Sequence, residues 1–156
     1  MSNEPFSASF FVRGVPRPQP RHRAAGGGRK GVYNPTTAND WKGAIVRTGS
    51  KYRPAQPLEG PVMVDCWWFL PRPKRLMRKR DPDGPMWAPV ARDRDNLDKA
   101  VLDALTADGW WRDDGQVVFG LLAKVYHSKV GVPGLSLRIV ELDATALRTP
   151  LPHEGS

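Results

Sequence analysis

Asp95-Asn96-Leu97-Asp98-Lys99-Ala100-Val101-Leu102-Asp103-Ala104-Leu105-Thr106-Ala107-Asp108-Gly109 is the stretch that decides the fold class. Leu97, Ala100, Val101, Ala104 and Leu105 recur at spacings of three and four, which predicts an amphipathic helix over residues 95–108, and Gly109 ends it. The segments around it read differently. Residues 61–70 (PVMVDCWWFL) are rich in β-branched and aromatic types and stop at Pro71, as a strand would. Residues 116–127 (QVVFGLLAKVYH) and 134–142 (GLSLRIVEL) predict two more strands, with SKVGVPG between them suited to a hairpin. Upstream, ASFFVR at 8–13 reads as a first strand. Asn34-Pro35-Thr36-Thr37 opens a helix carrying Ala38, Trp41, Ala44, Ile45 and Thr48 at helical spacing and ending near Gly49. The order β-α-β-α-β-β predicts an α+β fold, a small mixed β-sheet with two helices on one face.

The chain has 156 residues and is 40% hydrophobic, enough for one core. We read residues 1–147 as a single domain with mobile basic loops at about 16–31 and 71–91, the latter holding five prolines, and 148–156 as a flexible tail. No run approaches the length of a membrane span, and the N-terminus lacks a signal-peptide pattern. Cys66 is the sole cysteine, which excludes an internal disulfide and a thiolate metal cage. A cytoplasmic protein with no membrane partner is expected.

The net charge is +8, which favours a polyanionic partner, nucleic acid above all. The bases are concentrated. Arg13, Arg17, Arg21, Arg23, Arg29 and Lys30 crowd the first thirty residues, and Arg72, Lys74, Arg75, Arg78, Lys79 and Arg80 form a second cluster. Between 93 and 114 the balance reverses, with seven aspartates against Arg94, Lys99 and Arg112, net −4. Acids on a DNA-binding surface repel phosphate unless a cation stands between them, so the pattern points to a metal site of hard oxygen ligands, suited to Mg²⁺ or Mn²⁺. Asp93 and Asp95 stand two apart where the chain enters the helix, and Lys99 follows four residues later on the same face. Asp113-Asp114 lies just past the helix's far end.

Plainer readings exist for each. Asp95 suits an N-cap, Lys99 an i,i+4 pair with Asp95 or Asp103, and Asp113-Asp114-Gly115 an ordinary turn. Trp110 and Trp111 suit the core better than a base-stacking platform. The joint spacing favours the functional reading.

Asp93-Arg94-Asp95-Asn96-Leu97-Asp98-Lys99, then Asp103-Ala104-Leu105, then Asp113-Asp114-Gly115-Gln116-Val117, closely resembles the RusA family of Holliday-junction resolvases. The strong resemblance covers residues 92–118, and a weaker one reaches back to Val32-Tyr33-Asn34-Pro35. Arg92 stands where many members have proline, Arg94 where an apolar residue is common, and the loop at 71–91 is longer than in compact members. The resemblance implies an α+β homodimer, often phage- or prophage-encoded, that resolves four-way DNA junctions by paired nicks in recombination and repair. It implies Asp93, Asp95 and Asp114 as essential metal ligands, Asp113 as their supporting neighbour at the metal, and Lys99 as the catalytic lysine. Mg²⁺, with Mn²⁺ as a substitute, is the expected cofactor, with no small-molecule cofactor. Arg17, Arg21, Arg23, Arg29, Lys30, Arg72, Lys74, Arg75, Arg78, Lys79 and Arg80 are expected to grip DNA phosphates. Three rivals stand beside this reading: a structure-selective nuclease of flaps or forks, a non-catalytic junction-binding module, and a basic DNA-packing protein of a phage.

Overall fold

The computed structural model describes residues 4–20 and 36–144. Its elements are β1 (Ser7–Arg13), α1 (Thr36–Gly49), β2 (Val62–Leu70), β3 (Met86–Trp87), α2 (Arg94–Ala107), β4 (Val117–Phe119), β5 (Leu122–Tyr126) and β6 (Gly134–Glu141). Single 3-10 turns stand at Lys74–Leu76 and Asp114–Gln116. The strands form one mixed sheet in the order β1-β6-β2-β5-β3, with β4 also pairing with β2.

β2 is the axis of the fold. Its alternate residues Val62, Val64, Cys66, Trp68 and Leu70 are all buried, the period-2 pattern of a strand with one covered face. Register extends that face sideways: Val12 of β1 stands opposite Leu135 of β6, Leu135 opposite Trp68, and Trp68 opposite Lys124 of β5. Trp41 and Ile45 of α1 join the same buried cluster, as do Leu97, Ala100, Val101, Ala104 and Leu105 of α2. The stripe read from the sequence is therefore the buried face of α2, and both helices cover one side of the sheet. Among the described residues no helix covers the other side. It carries Phe11 beside Phe69 (centroids 6.0 Å apart) and Trp67 stacked on Trp87 (6.1 Å), with Trp87 72% exposed. Among the described residues no helix is long and apolar enough to cross a membrane.

Two expectations are corrected. β5 and β6 do not form a hairpin. They flank β2 on opposite sides, β5 parallel and β6 antiparallel, because the apolar β2 takes both as partners. The connection passes the end of β2, where His127 N donates to Leu70 O (3.2 Å). The long strand at 116–127 is broken into β4 and β5 at Gly120, where a Cβ would collide with the Val64 carbonyl. Residues 71–91, the second basic loop, contain a 3-10 turn and β3, which pairs with β5. Two cations brace this segment. Arg72 donates from inside to the carbonyls of Leu76 (2.8 Å), Gly84 (2.9 Å) and Pro82 (2.6 Å). Lys129 donates to Arg78 O (2.8 Å) and Asp81 O (2.7 Å). Most of the loop at 16–31, and the tail at 148–156, lie outside the described residues.

The topology sets where each functional residue can stand. β4 and β5 run parallel to β2, so the chain must return from the end of β2 to its beginning before they start. α2 makes that return, its 14 residues spanning about 21 Å at about 1.5 Å each. Residues before α2 consequently lie towards the end of β2, and residues after it towards the beginning.

Candidate active site

Asp93 and Asp95 enter α2 together. Asp93 occupies the N-cap position with extended backbone (φ −61°, ψ 121°), yet its side chain makes no capping bond to the helix backbone. The capping role thus falls at Asp93 in place and at neither acid in chemistry. Asn96 Nδ2 instead approaches Asp93 Oδ2 (3.4 Å). Asp95 is exposed in the first turn, where the helix dipole favours a negative charge. Lys99 is exposed and, among the described residues, forms no ion pair with Asp95 or Asp103, the latter being paired with Lys42 of α1 (3.6 Å).

The chain approaching Asp93 is held from two directions. Lys124 reaches up from the covered face of the sheet and donates to Val90 O (2.9 Å) and Arg92 O (2.7 Å). Arg92 donates to Pro16 O (2.9 Å), and Gln19 N donates to Asn96 O (2.9 Å), so the start of the N-terminal basic loop lies against the acidic end of α2. Burial lowers the pKa of Arg92, and the neighbouring Arg17 charge lowers it further.

Asp98, one turn into α2, is half-buried. Desolvation raises its pKa, and Arg94 partly opposes that rise. Sequence reading assigns it no place in the site, although a carboxylate one residue from the apolar stripe is a signal. Beneath it Cys66 has a strongly raised pKa, through burial first and then the charges of Asp98 and Asp65, which makes it an inert core thiol.

The second acidic turn divides its labour. Asp113 caps the 3-10 turn: its Oδ1 accepts from Gly115 N (2.6 Å), while Gln116 Oε1 accepts from Asp113 N (3.1 Å) and Arg112 N (2.9 Å). Gln116 Nε2 donates to the carbonyls of Leu58 (2.8 Å) and Gly60 (3.0 Å), fastening the turn beside the beginning of β2. Trp110 and Trp111 are core residues, and Trp111 Nε1 donates to Thr106 Oγ1 (2.7 Å). Asp114 is exposed, and no hydrogen bond or ion pair engages its side chain among the described residues.

The two acidic groups are consequently apart. Val117 stands opposite Val62 and Lys124 opposite Trp68, levels separated by about 20 Å at about 3.3 Å per residue of strand. Among the described residues, no three His, Cys, Asp or Glu side chains are gathered closely enough to hold a metal ion. One copy of the chain brings Asp93 to Asp95 but leaves Asp114 at the other end of α2.

Of the basic residues expected on DNA, Lys74, Arg75, Arg78, Lys79 and Arg80 are exposed on the braced segment, and Arg17 is exposed beside the acidic end of α2. Arg72 is a correction. It is 7% exposed with its guanidinium spent on three carbonyls, so it organises the loop from within. Arg21, Arg23, Arg29 and Lys30 lie outside the described residues.

A family model for endodeoxyribonuclease RusA matches residues 13–139, a span that takes in α1, α2, the acidic turn, β2 to β5 and most of β6. The chain belongs to the RusA family of endodeoxyribonucleases. The uncharacterized protein YqaN of Bacillus subtilis (strain 168) is 29% identical over 141 residues, covering 86% of this chain and 96% of that protein. The crossover junction endodeoxyribonuclease RusA of Escherichia coli (strain K12) is 49% identical over 51 residues, 33% of this chain and 41% of that protein. RusA of Enterobacteria phage 82 matches to the same extent. Asp93, Asp95, Asp98, Asp113 and Asp114 all fall inside the RusA match.

Proposed function

We propose that this protein is a Holliday-junction resolvase that nicks branched DNA with Mg²⁺ and works as a homodimer in recombination and repair. The observation that carries the reading is the acidic start of α2, Asp93 and Asp95 exposed side by side on a protein of net charge +8. Membership of an endodeoxyribonuclease family supports it.

The donors fit a hard divalent cation in kind, being carboxylate oxygens with neither sulfur nor imidazole among them. They do not fit in number within one copy. A second copy supplies what is missing: a two-fold axis beside α2 and perpendicular to it sets the Asp93 end of one copy against the Asp114 end of the other. In this proposal Asp93 and Asp95 of one protomer and Asp114 of the partner subunit hold the ion together.

When bound, the ion supplies Lewis acidity towards the phosphate and lowers the pKa of water. The chain's own groups do the rest. Lys99 places a positive charge one turn above Asp95, where charge develops on the scissile phosphate. The N-terminus of α2 favours the same anion. Lys74, Arg75, Lys79 and Arg80 hold the backbone outside the site, and with six to ten such contacts affinity falls about 10³–10⁵-fold between 50 and 200 mM salt.

The test is a labelled four-way junction incubated with the protein, with and without Mg²⁺, beside flap, fork and linear DNA. Symmetric nicks on the junction that vanish with EDTA and in Asp93→Asn, while junction binding persists, support the proposal. Nicking that survives Asp93→Asn contradicts it, and preferential cutting of flaps or forks moves the substrate to those structures.

A further inference from the structure

Lys124 lies in the middle of β5 on the covered face of the sheet, opposite Trp68. A lysine there needs a reason, since burying an ammonium costs free energy unless its protons find acceptors. The acceptors are two carbonyls of one short segment, Val90 O (2.9 Å) and Arg92 O (2.7 Å). The Lys124 main chain grips the same segment, its carbonyl accepting from Ala88 N (3.2 Å). One residue therefore fixes the path from 88 to 92 at three points. The last point matters most, because the Arg92 carbonyl belongs to the peptide that joins Arg92 to Asp93, and that planar unit sets where Asp93 begins. On its far side Asp93 is tied into the helix, its carbonyl accepting from Leu97 N (3.1 Å).

We propose that Lys124 is a positioning residue for the acidic end of α2, holding the Arg92–Asp93 peptide so that the Asp93 carboxylate stands in register with Asp95. The proposal rests on the reading of Asp93 as a metal-site carboxylate. A lysine suits the task because a single ammonium on a long stem donates to two carbonyls that diverge, which no neutral side chain of that length does. Backbone capping does not do this work, because the Asp93 side chain makes no capping bond to the helix backbone. Sequence reading passes over Lys124, since a lone lysine within QVVFGLLAKVYH reads as an outward strand position.

The test compares Lys124→Met, which keeps the stem and removes the charge, with Lys124→Arg, Asp93→Asn and the wild type. Four quantities are read: hydrogen exchange of residues 88–97, Mn²⁺ affinity by calorimetry, nicking kinetics, and melting temperature. In Lys124→Met, amides of 88–97 exchange at least about tenfold faster while β1 and β6 keep their protection. Mn²⁺ affinity falls about 10–100-fold, and kcat falls while KM for the junction holds. Lys124→Arg recovers part of each loss. Wild-type exchange and Mn²⁺ affinity in Lys124→Met would overturn the proposal, as would a loss confined to melting temperature. If Asp93→Asn leaves Mn²⁺ binding and nicking intact, the active-site reading fails instead, and the exchange data still judge the clamp.

Discussion

At its C-terminal end α2 closes by local rules. Gly109 takes a left-handed conformation (φ 82°) and donates to Thr106 O (3.1 Å), while Trp110 N donates to Leu105 O (3.1 Å). The acidic turn that follows satisfies itself through Asp113, Gly115 and Gln116. The N-terminal end follows no such scheme. Asp93 occupies the cap without capping, and the chain entering it is held by Lys124 and Arg92 from other parts of the molecule. A helix end that forgoes its own best local bond and is steadied from a distance is where function, more than stability, sets the residues.

That contrast breaks if the two ends respond alike to substitution. The largest effect expected is on catalysis: Asp95→Asn lowers the nicking rate more than about a hundredfold, beyond what an outer-shell partner costs. Its effect on stability stays below about 1 kcal/mol, the worth of a first-turn acid to the dipole. Asp113→Ala does the opposite, costing about 1 kcal/mol of stability through the lost cap, read in urea unfolding. Equal stability losses in the two variants would end the distinction.

A smaller effect sharpens it. The raised pKa of Asp98 means that the folded protein binds this proton more tightly than the unfolded chain does. Its stabilising contribution is complete below the ordinary carboxylate range and is lost as pH rises through the raised value. Asp98→Asn is therefore expected to raise the melting temperature at pH 7 and to leave it unchanged near pH 3. A lower melting temperature at pH 7 would show that the charged carboxylate is needed.

Local pattern located both helices, β1, β2 and β6, through apolar spacing with start and stop residues in the helices and β-branched and aromatic enrichment in β2. It misplaced the pairing of β5 and β6, since β2 competes for both and nothing local records which strand wins. The break at Gly120 depends on a close approach to Val64, a residue far away in the chain. The identities of the candidate acids were legible from their spacing and the resemblance it carries. Their separation was not, because it follows from the parallel crossover, which a list of motifs does not contain. Arg72 and Lys74 look alike in sequence, yet one binds three carbonyls inside the loop and the other is exposed.

The proposal that two copies complete each other's acidic site is tested most directly by mixing two inactive variants. Asp93→Asn and Asp114→Asn are each expected to leave a four-way junction uncut. Co-refolded together, they form mixed dimers in which one site unites Asp93 and Asp95 of one copy with Asp114 of the other, all three carboxylates intact. The account predicts that single-strand nicking of the junction returns in the mixture. A mixture as inactive as its two components, under conditions where the wild type cuts and mixed dimers are shown to form, would contradict it.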